Sequence, residues 1–402
     1  MAVLPLKNLR VANFGWVWAS PVLGHTLGDM GAQVIKVESR KRPDVIRVLP
    51  PMLKDQYLES YFAATTMRSQ MGITLDLSSE KGQEIARDLV RSADVVIENF
   101  SPGIMKRYGL DYPSVRKLRP DAIMISLTAA GQYGPLSKIV TYGNIISCLA
   151  GLDGVQGYIG ADEPTAYGTS IPDPMIGLLG AYIVLAALRH RAKTGKGQHI
   201  DVSQWEATAA TGGGPLMDYI FNKRITYPKG NRDEMMAPHG VYPCKGDDSW
   251  VTIAVKTDDE WRQLCDAMDK PELLSDERFG DLFSRQMHHG ELDEIISRWT
   301  ATQRARQVTT KLQRMGIAAF PSMSAKDIFE DKHFKERGDW VEVQHPLMKT
   351  VIYGMPYKLS ATPGGIQSPA TMVGQYNDEV YGEILGLSRE EIAKLTEERI
   401  FY

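Results

Sequence analysis

Through its first half this sequence alternates short β-like runs with helical ones. Leu9 to Phe14 reads as a strand, Val22 to Met30 as a helix and Gln33 to Val37 as a second strand. The spacing of Ile85, Leu89 and Val90 predicts an amphipathic helix over Glu80 to Arg91. Val95 to Ile97 and Ala122 to Leu127 follow as strands, with a helical turn at Ile104 to Tyr108 between them. Such alternation predicts an α/β fold around a parallel sheet. Ligands of these sheets bind outside the carboxyl ends of the strands. The turns that follow the first, third and fourth of these strands are therefore the places to look.

After Gln198 the pattern changes. His199 to Ser203 reads as a strand, and Trp205 to Phe221 as a helix around Gly212-Gly213-Gly214. Arg224 to Pro238 is polar and reads as a connector. Trp250 to Val255 reads as a strand, Thr257 to Met268 and Glu291 to Thr300 as amphipathic helices. These elements predict a second, smaller α+β domain over residues 227–313. Strands at Trp340 to Val343 and Val351 to Tyr353 and a helix at Asp378 to Leu385 complete the chain.

A chain of 402 residues has room for two or three domains. Apolar residues make up 43% and charged ones 24%, as in ordinary globular proteins. The net charge of −3 comes without a basic stripe, which argues against nucleic acid or a membrane surface as partner. Cys148, Cys244 and Cys265 are far apart, so neither a disulfide framework nor a zinc site is expected. No signal sequence is read at Met1 to Leu6. The apolar run from Met175 to Leu188 is too short and too rich in glycine to span a bilayer. A cytoplasmic location is expected.

The sharpest local signal is Pro172-Asp173-Pro174-Met175-Ile176-Gly177 at the head of that apolar run. Asp before Pro marks a helix start, with Asp173 as N-cap and Pro174 at the first helical position. The same place suits a nucleophilic carboxylate. A helix N-terminus favours the ionised form, and Gly177 one turn on leaves room for a substrate. A dinucleotide fingerprint, a Walker lysine motif and a Gly-x-Ser-x-Gly elbow are all absent. The turns hold Val17-Trp18-Ala19-Ser20-Pro21, Glu38-Ser39-Arg40 and Glu98-Asn99-Phe100-Ser101-Pro102-Gly103, with Arg107 one turn on. An Asn, a Phe and two arginines there fit an adenine and phosphates. The same residue types also serve as caps and solvated arginines.

Taken together, the chain resembles the class III CoA-transferases and the related α-methylacyl-CoA racemases. The motifs are Val17 to Pro21, Gly31-Ala32-Gln33-Val34-Ile35-Lys36-Val37-Glu38 and Glu98 to Gly103. Gly131-Gln132-Tyr133-Gly134-Pro135, Asp173 with Gly177 and Arg191-Ala192-Lys193-Thr194-Gly195-Lys196-Gly197-Gln198 follow. Phe329-Glu330-Asp331, Arg337-Gly338 and Gly374-Gln375-Tyr376-Asn377 complete the ordered set.

The resemblance implies a Rossmann-like large domain built from both chain ends, residues 1–226 and 314–402, around the smaller domain. It implies an interlocked ring dimer, as a homodimer or with a related second subunit. It makes Asp173 the nucleophile, working through an Asp–acyl anhydride and an aspartyl-CoA thioester. Val17, Trp18, Ala19, Arg40, Asn99, Phe100 and Arg107 would contact coenzyme A, and Trp16, Tyr142, His239, Gly240 and Tyr242 the acyl group or acceptor acid. Acyl-CoA is then a substrate, and no tightly bound cofactor or metal is expected.

Three departures narrow the choice. The usual Asn-Lys-Arg is here Ser69-Gln70-Met71, with Arg68 nearby. The glycine lid of formyl-CoA transferases is replaced by Arg232 to His239, including Met235-Met236. The racemase His-Asp pair has no counterpart around Tyr142-Gly143-Asn144, so α-proton chemistry lacks its acid/base pair. The wording around Ala237-Pro238-His239-Gly240-Val241-Tyr242 is similar to benzylsuccinate-type transferases, with succinyl-CoA as donor and an aryl- or alkylsuccinate as acceptor. Carnitine-like or bile-acid-like acids, a racemase and a non-catalytic partner subunit stand as alternatives.

Overall fold

The computed structural model describes residues 4–402 except 162, 164 and 167; the start of the N-terminal segment read for a signal sequence lies outside the described residues. The chain divides into two compact units, Met1–Leu152 with Ala166–Phe221 and His333–Tyr402, and Asp153–Thr165 with Asn222–Lys332.

The first unit runs β1 (Arg10–Asn13), α1 (Ala19–Asp29), β2 (Gln33–Glu38), α2 (Tyr61–Thr66), β3 (Met71–Thr74), α3 (Glu80–Ser92) and β4 (Val95–Glu98). It continues with α4 (Ile104–Arg107), α5 (Tyr112–Leu118), β5 (Ile123–Thr128), α6 (Gly143–Leu149), α7 (Pro172–Thr194), β6 (His199–Ser203), α8 (Gln204–Thr211) and α9 (Gly213–Asn222). The six strands form one sheet in the order β3-β2-β1-β4-β5-β6, and every pair is parallel. The strand order reverses between β1 and β4, which places a crevice at their carboxyl ends.

Local chemistry sets these elements. Ser79 caps α3 by accepting from Gly82 N, and Ile85, Ala86, Leu89 and Val90 form the buried face. α7 starts at Pro172 and carries prolines at 172 and 174 in its first turn, where missing N–H groups cost nothing. Gly195 ends it with φ of 70°, its N–H bonded to Arg191 O. Expected as N-cap, Asp173 is instead inside the first turn, and Ile171 holds the cap without a side-chain bond. α7 reaches 23 residues, long and apolar enough to cross a membrane by length and composition alone. Its Ile176, Gly177, Gly180, Ala181, Val184 and Ala187 are buried within this unit, as in a core helix.

Gly177 has a different use from the one expected. A Cβ there would lie 2.6 Å from Ala19 O and 2.7 Å from Val22 Cβ. The missing side chain lets α7 press against α1 rather than leaving space for substrate.

The carboxyl end of the chain packs into the core that holds the buried face of α3, not that of α7. Tyr381 and Phe401 stack with ring centroids 3.7 Å apart, among Ala12, Ile35 and Leu75. Tyr381 Oη donates to Thr74 O at 2.6 Å. The expected helix at Asp378 to Leu385 is a π-helical turn, Glu379–Ile384, and the last α-helix is Arg389–Glu397, started by a Ser388/Glu391 capping box. β10 (Trp340–His345) and β11 (Met348–Tyr353), numbered after three strands of the second unit, pair as an antiparallel hairpin.

The second unit holds the antiparallel sheet β7-β8-β9, formed by β7 (His239–Pro243), β8 (Trp250–Ala254) and β9 (Ala318–Pro321). Residues 314–332 therefore belong with this unit. Its core joins Val251, Ile253 and Val255 to Trp261, Leu264, Leu292, Ile296 and Val308.

Candidate active site

The crevice between β1 and β4 is built by two turns that grip each other. Asn99, just past β4, accepts from Trp16 N at 2.7 Å and donates to Trp16 O at 2.7 Å. The neighbouring Phe100 meets the Trp16 ring edge-on at 5.9 Å, and the Arg42 guanidinium lies over the Trp16 ring, 5.4 Å from its centroid. Glu98 ties this layer to a third turn. It accepts from Phe100 N at 2.8 Å and from Gln132 Nε2 at 3.2 Å. Burial pushes the Glu98 carboxyl up to about 7, against the bonds from Ser126 and Phe100.

Asp173 enters the crevice from the head of α7. Ser170 Oγ donates to Asp173 Oδ2 at 2.7 Å. Burial holds the carboxyl above its ordinary range, and the Ser170 bond works against that rise. α6 supplies the far wall. At Gly143 the backbone comes close to this pair: a Cβ there would meet the side-chain atoms Ser170 Oγ and Asp173 Oδ2, which would have to move aside.

Beside these groups lies a cleft with a cavity of about 140 Å³. It brings together Asp173, Val17, Asn99, Phe100 and Tyr142 from four separate segments. The remaining expected positions lie elsewhere. Trp18 packs edge-on against Phe62, and Ala19 is buried at the start of α1. Arg40 Nη2 donates to Val373 O at 2.7 Å, while Arg107 is exposed at the end of α4. His239 and Gly240 line a separate groove on the sheet of the second unit. Tyr242 faces that unit's core instead, 2% exposed, with its Oη donating to Asp293. Arg68 offers nothing to a nucleotide, because it is buried against Asp29 at 2.9 Å.

Ser170, Gly143 and Glu98 border this site and were passed over by sequence reasoning, as was Asp44, whose Oδ1 accepts from Val17 N at 2.9 Å. Ser170 lies two residues before the quoted helix-start segment and three before Asp173, which is a readable hydrogen-bonding distance. Glu98 stood inside a quoted motif. Asp44 and Gly143 left no local signal, since their partners are remote in sequence.

The chemistry of the cleft is that of a carboxylate in a partly dry place. Its neighbours supply a hydroxyl donor and backbone groups, and the walls mix polar residues such as Asn99, Thr141 and Gln204 with apolar ones such as Phe100, Leu127 and Ile146.

Comparisons with known proteins converge. The family model "CoA-transferase family III" matches residues 6–377. The chain is 32% identical over 398 residues to a succinyl-CoA–D-citramalate CoA-transferase of Chloroflexus aurantiacus, covering 98% of each chain. It is 32% identical over 403 residues to the beta subunit of a succinyl-CoA–L-malate CoA-transferase of the same organism, covering 99% of this chain and 98% of that one. Among solved structures, a CAIB/BAIF family protein from Brucella suis superposes with a TM-score of 0.88 at 29% identity, over 96% of this chain and 100% of that one.

Proposed function

The chain belongs to CoA-transferase family III, and on that premise we propose that it moves coenzyme A from succinyl-CoA to a substituted succinate, with Asp173 as the nucleophile. The observation that carries this reading is the carboxylate of Asp173, partly buried and held by Ser170, in one cleft with Val17, Asn99 and Phe100. Both relatives named above act, by their names, with succinyl-CoA on acids that are succinates carrying extra substituents. An alkyl- or arylsuccinate extends the same class.

The proposed steps balance without oxidant or external base. An Asp173 oxygen attacks the thioester carbonyl carbon, the C–S bond breaks, and CoA leaves as thiolate. The thiolate attacks the aspartyl carbonyl of the resulting anhydride and expels the donor acid as carboxylate. The acceptor carboxylate then attacks the aspartyl-CoA thioester, and the released thiolate takes up the acceptor's carbonyl. Asp173 is regenerated as carboxylate. One difficult exchange becomes several easier ones.

In this reading Val17, Asn99 and Phe100 border the CoA path. Trp16 and Tyr142 wall the acyl pocket. The assembly is a dimer, as a homodimer or with a related chain, and the enzyme acts in the cytoplasm. The test is a steady-state screen with succinyl-CoA as donor. kcat/KM for citramalate, malate or benzylsuccinate above that for oxalate supports the proposal; a preference for oxalate, or turnover with none of them, overturns it.

A further inference from the structure

The peptide unit between Trp16 and Val17 is held at both ends. Its carbonyl, Trp16 O, accepts from Asn99 Nδ2 at 2.7 Å. Its N–H, on Val17, donates to Asp44 Oδ1 at 2.9 Å. Val17 itself has φ of 64°, the left-handed region. A β-branched side chain is crowded there. Rotating this one peptide by half a turn would release Val17 into ordinary backbone space. It would also break both hydrogen bonds and turn the N–H where the carbonyl now points.

Asp44 is an expensive anchor. It is 1% exposed and follows β2, far in sequence from the turn it holds. Its Oδ1 also accepts from Ile46 N at 3.2 Å. Its Oδ2 makes no hydrogen bond and faces Lys36 Nζ at 3.5 Å, a lysine that is itself 1% exposed. Glu38, Arg47 and Glu59 continue this buried charged row, Glu38 receiving two bonds from Arg47. A buried ion pair is weak support for stability, since apolar residues of similar volume do as well. Its position under a strained turn that lines the cleft gives it another use.

We infer that Asp44 is a positioning residue that fixes the Trp16–Val17 peptide in the orientation against which the acyl-CoA lies. This rests on the CoA-transferase reading above. Asn99 grips the same peptide from the opposite side, so the two side chains act as one clamp. Lys36 keeps Asp44 in place from below.

The experiment uses the full-length protein and free coenzyme A as probe, with binding measured by calorimetry and folding checked by thermal melting. D44A removes the acceptor and should weaken CoA binding at least tenfold, with the donor KM rising by a similar factor and kcat changing less. D44N keeps an oxygen acceptor for the Val17 N–H and removes the charge; it should bind CoA within threefold of the parent. A folded D44A that binds CoA as the parent does overturns the inference. So does a folded D44N that loses tenfold or more, because the charge and not the acceptor would then matter. If D44A fails to fold, D44N carries the test alone. A parent protein that binds no CoA overturns the function proposed above, an outcome distinct from either.

Discussion

At Asp173 two effects oppose each other. Burial favours the protonated acid, which cannot attack a thioester, and the Ser170 hydroxyl favours the carboxylate. The first turn of α7 adds a favourable field for the anion. Because the carboxyl is raised in the fold, activity should climb with pH through a limb above the ordinary carboxylate range. Removing the Ser170 donor raises the carboxyl further. S170A should therefore move the acid limb of the kcat/KM profile up by about one pH unit, the worth of a hydrogen bond to a charged group. A profile measured from pH 4 to 9 checks this, and a limb that stays put or moves down contradicts it.

At the level of elements, the approach of α1 to α7 decides where the turn before α1 sits relative to Asp173. Gly177 makes that approach, with a backbone oxygen of Ala19 where a Cβ would go. G177A should cost about 1–3 kcal/mol through overpacking and should lower activity by shifting the Val17 turn. G180A is the contrast. A Cβ there meets only side-chain ends of Leu23, Ile125 and Leu127 at 3.3–3.5 Å, which can give way. Thermal melting and kcat/KM of the two variants compare them directly; equal effects would contradict the packing argument.

The same scale shows what the sequence reveals. β4 and β5 are fully buried, so their apolar runs are legible as strands. β3 is four residues, Met71-Gly72-Ile73-Thr74, too short and too irregular to stand out. β7 reads His239-Gly240-Val241-Tyr242-Pro243, loop-like by composition, and only pairing with β8 makes it a strand. Asp173 stands out because of its flanking prolines, yet those prolines fit either helix register, and the start falls one residue before it. Val17, Asn99 and Phe100 follow strand ends and were legible there. Asp44 was not, because its partner Val17 lies on a different strand's turn. Tyr242 shows the converse: an aromatic in a suggestive motif whose ring fills a core.

For the whole molecule, the outer face of α7 exposes Leu178, Tyr182 and Leu185, the tyrosine at 70%. α9 buries none of its ten residues and exposes Leu216, Met217 and Phe221. Apolar exposure on this scale marks an interaction surface. For the proposed homodimer, in the interlocked form that the family resemblance implies, the purified chain should sediment at twice the chain mass and stay so on dilution to nanomolar concentration. A monomer at micromolar concentration would contradict the homodimer.

The central claim is that Asp173 carries the acyl group and then coenzyme A. Turnover with succinyl-CoA, quenched by hydroxylamine or borohydride and followed by peptide mass spectrometry, should place the modification on Asp173, and D173A should lose at least about three orders of magnitude in rate. Modification at any other residue, or near-normal activity of D173A, would contradict the account.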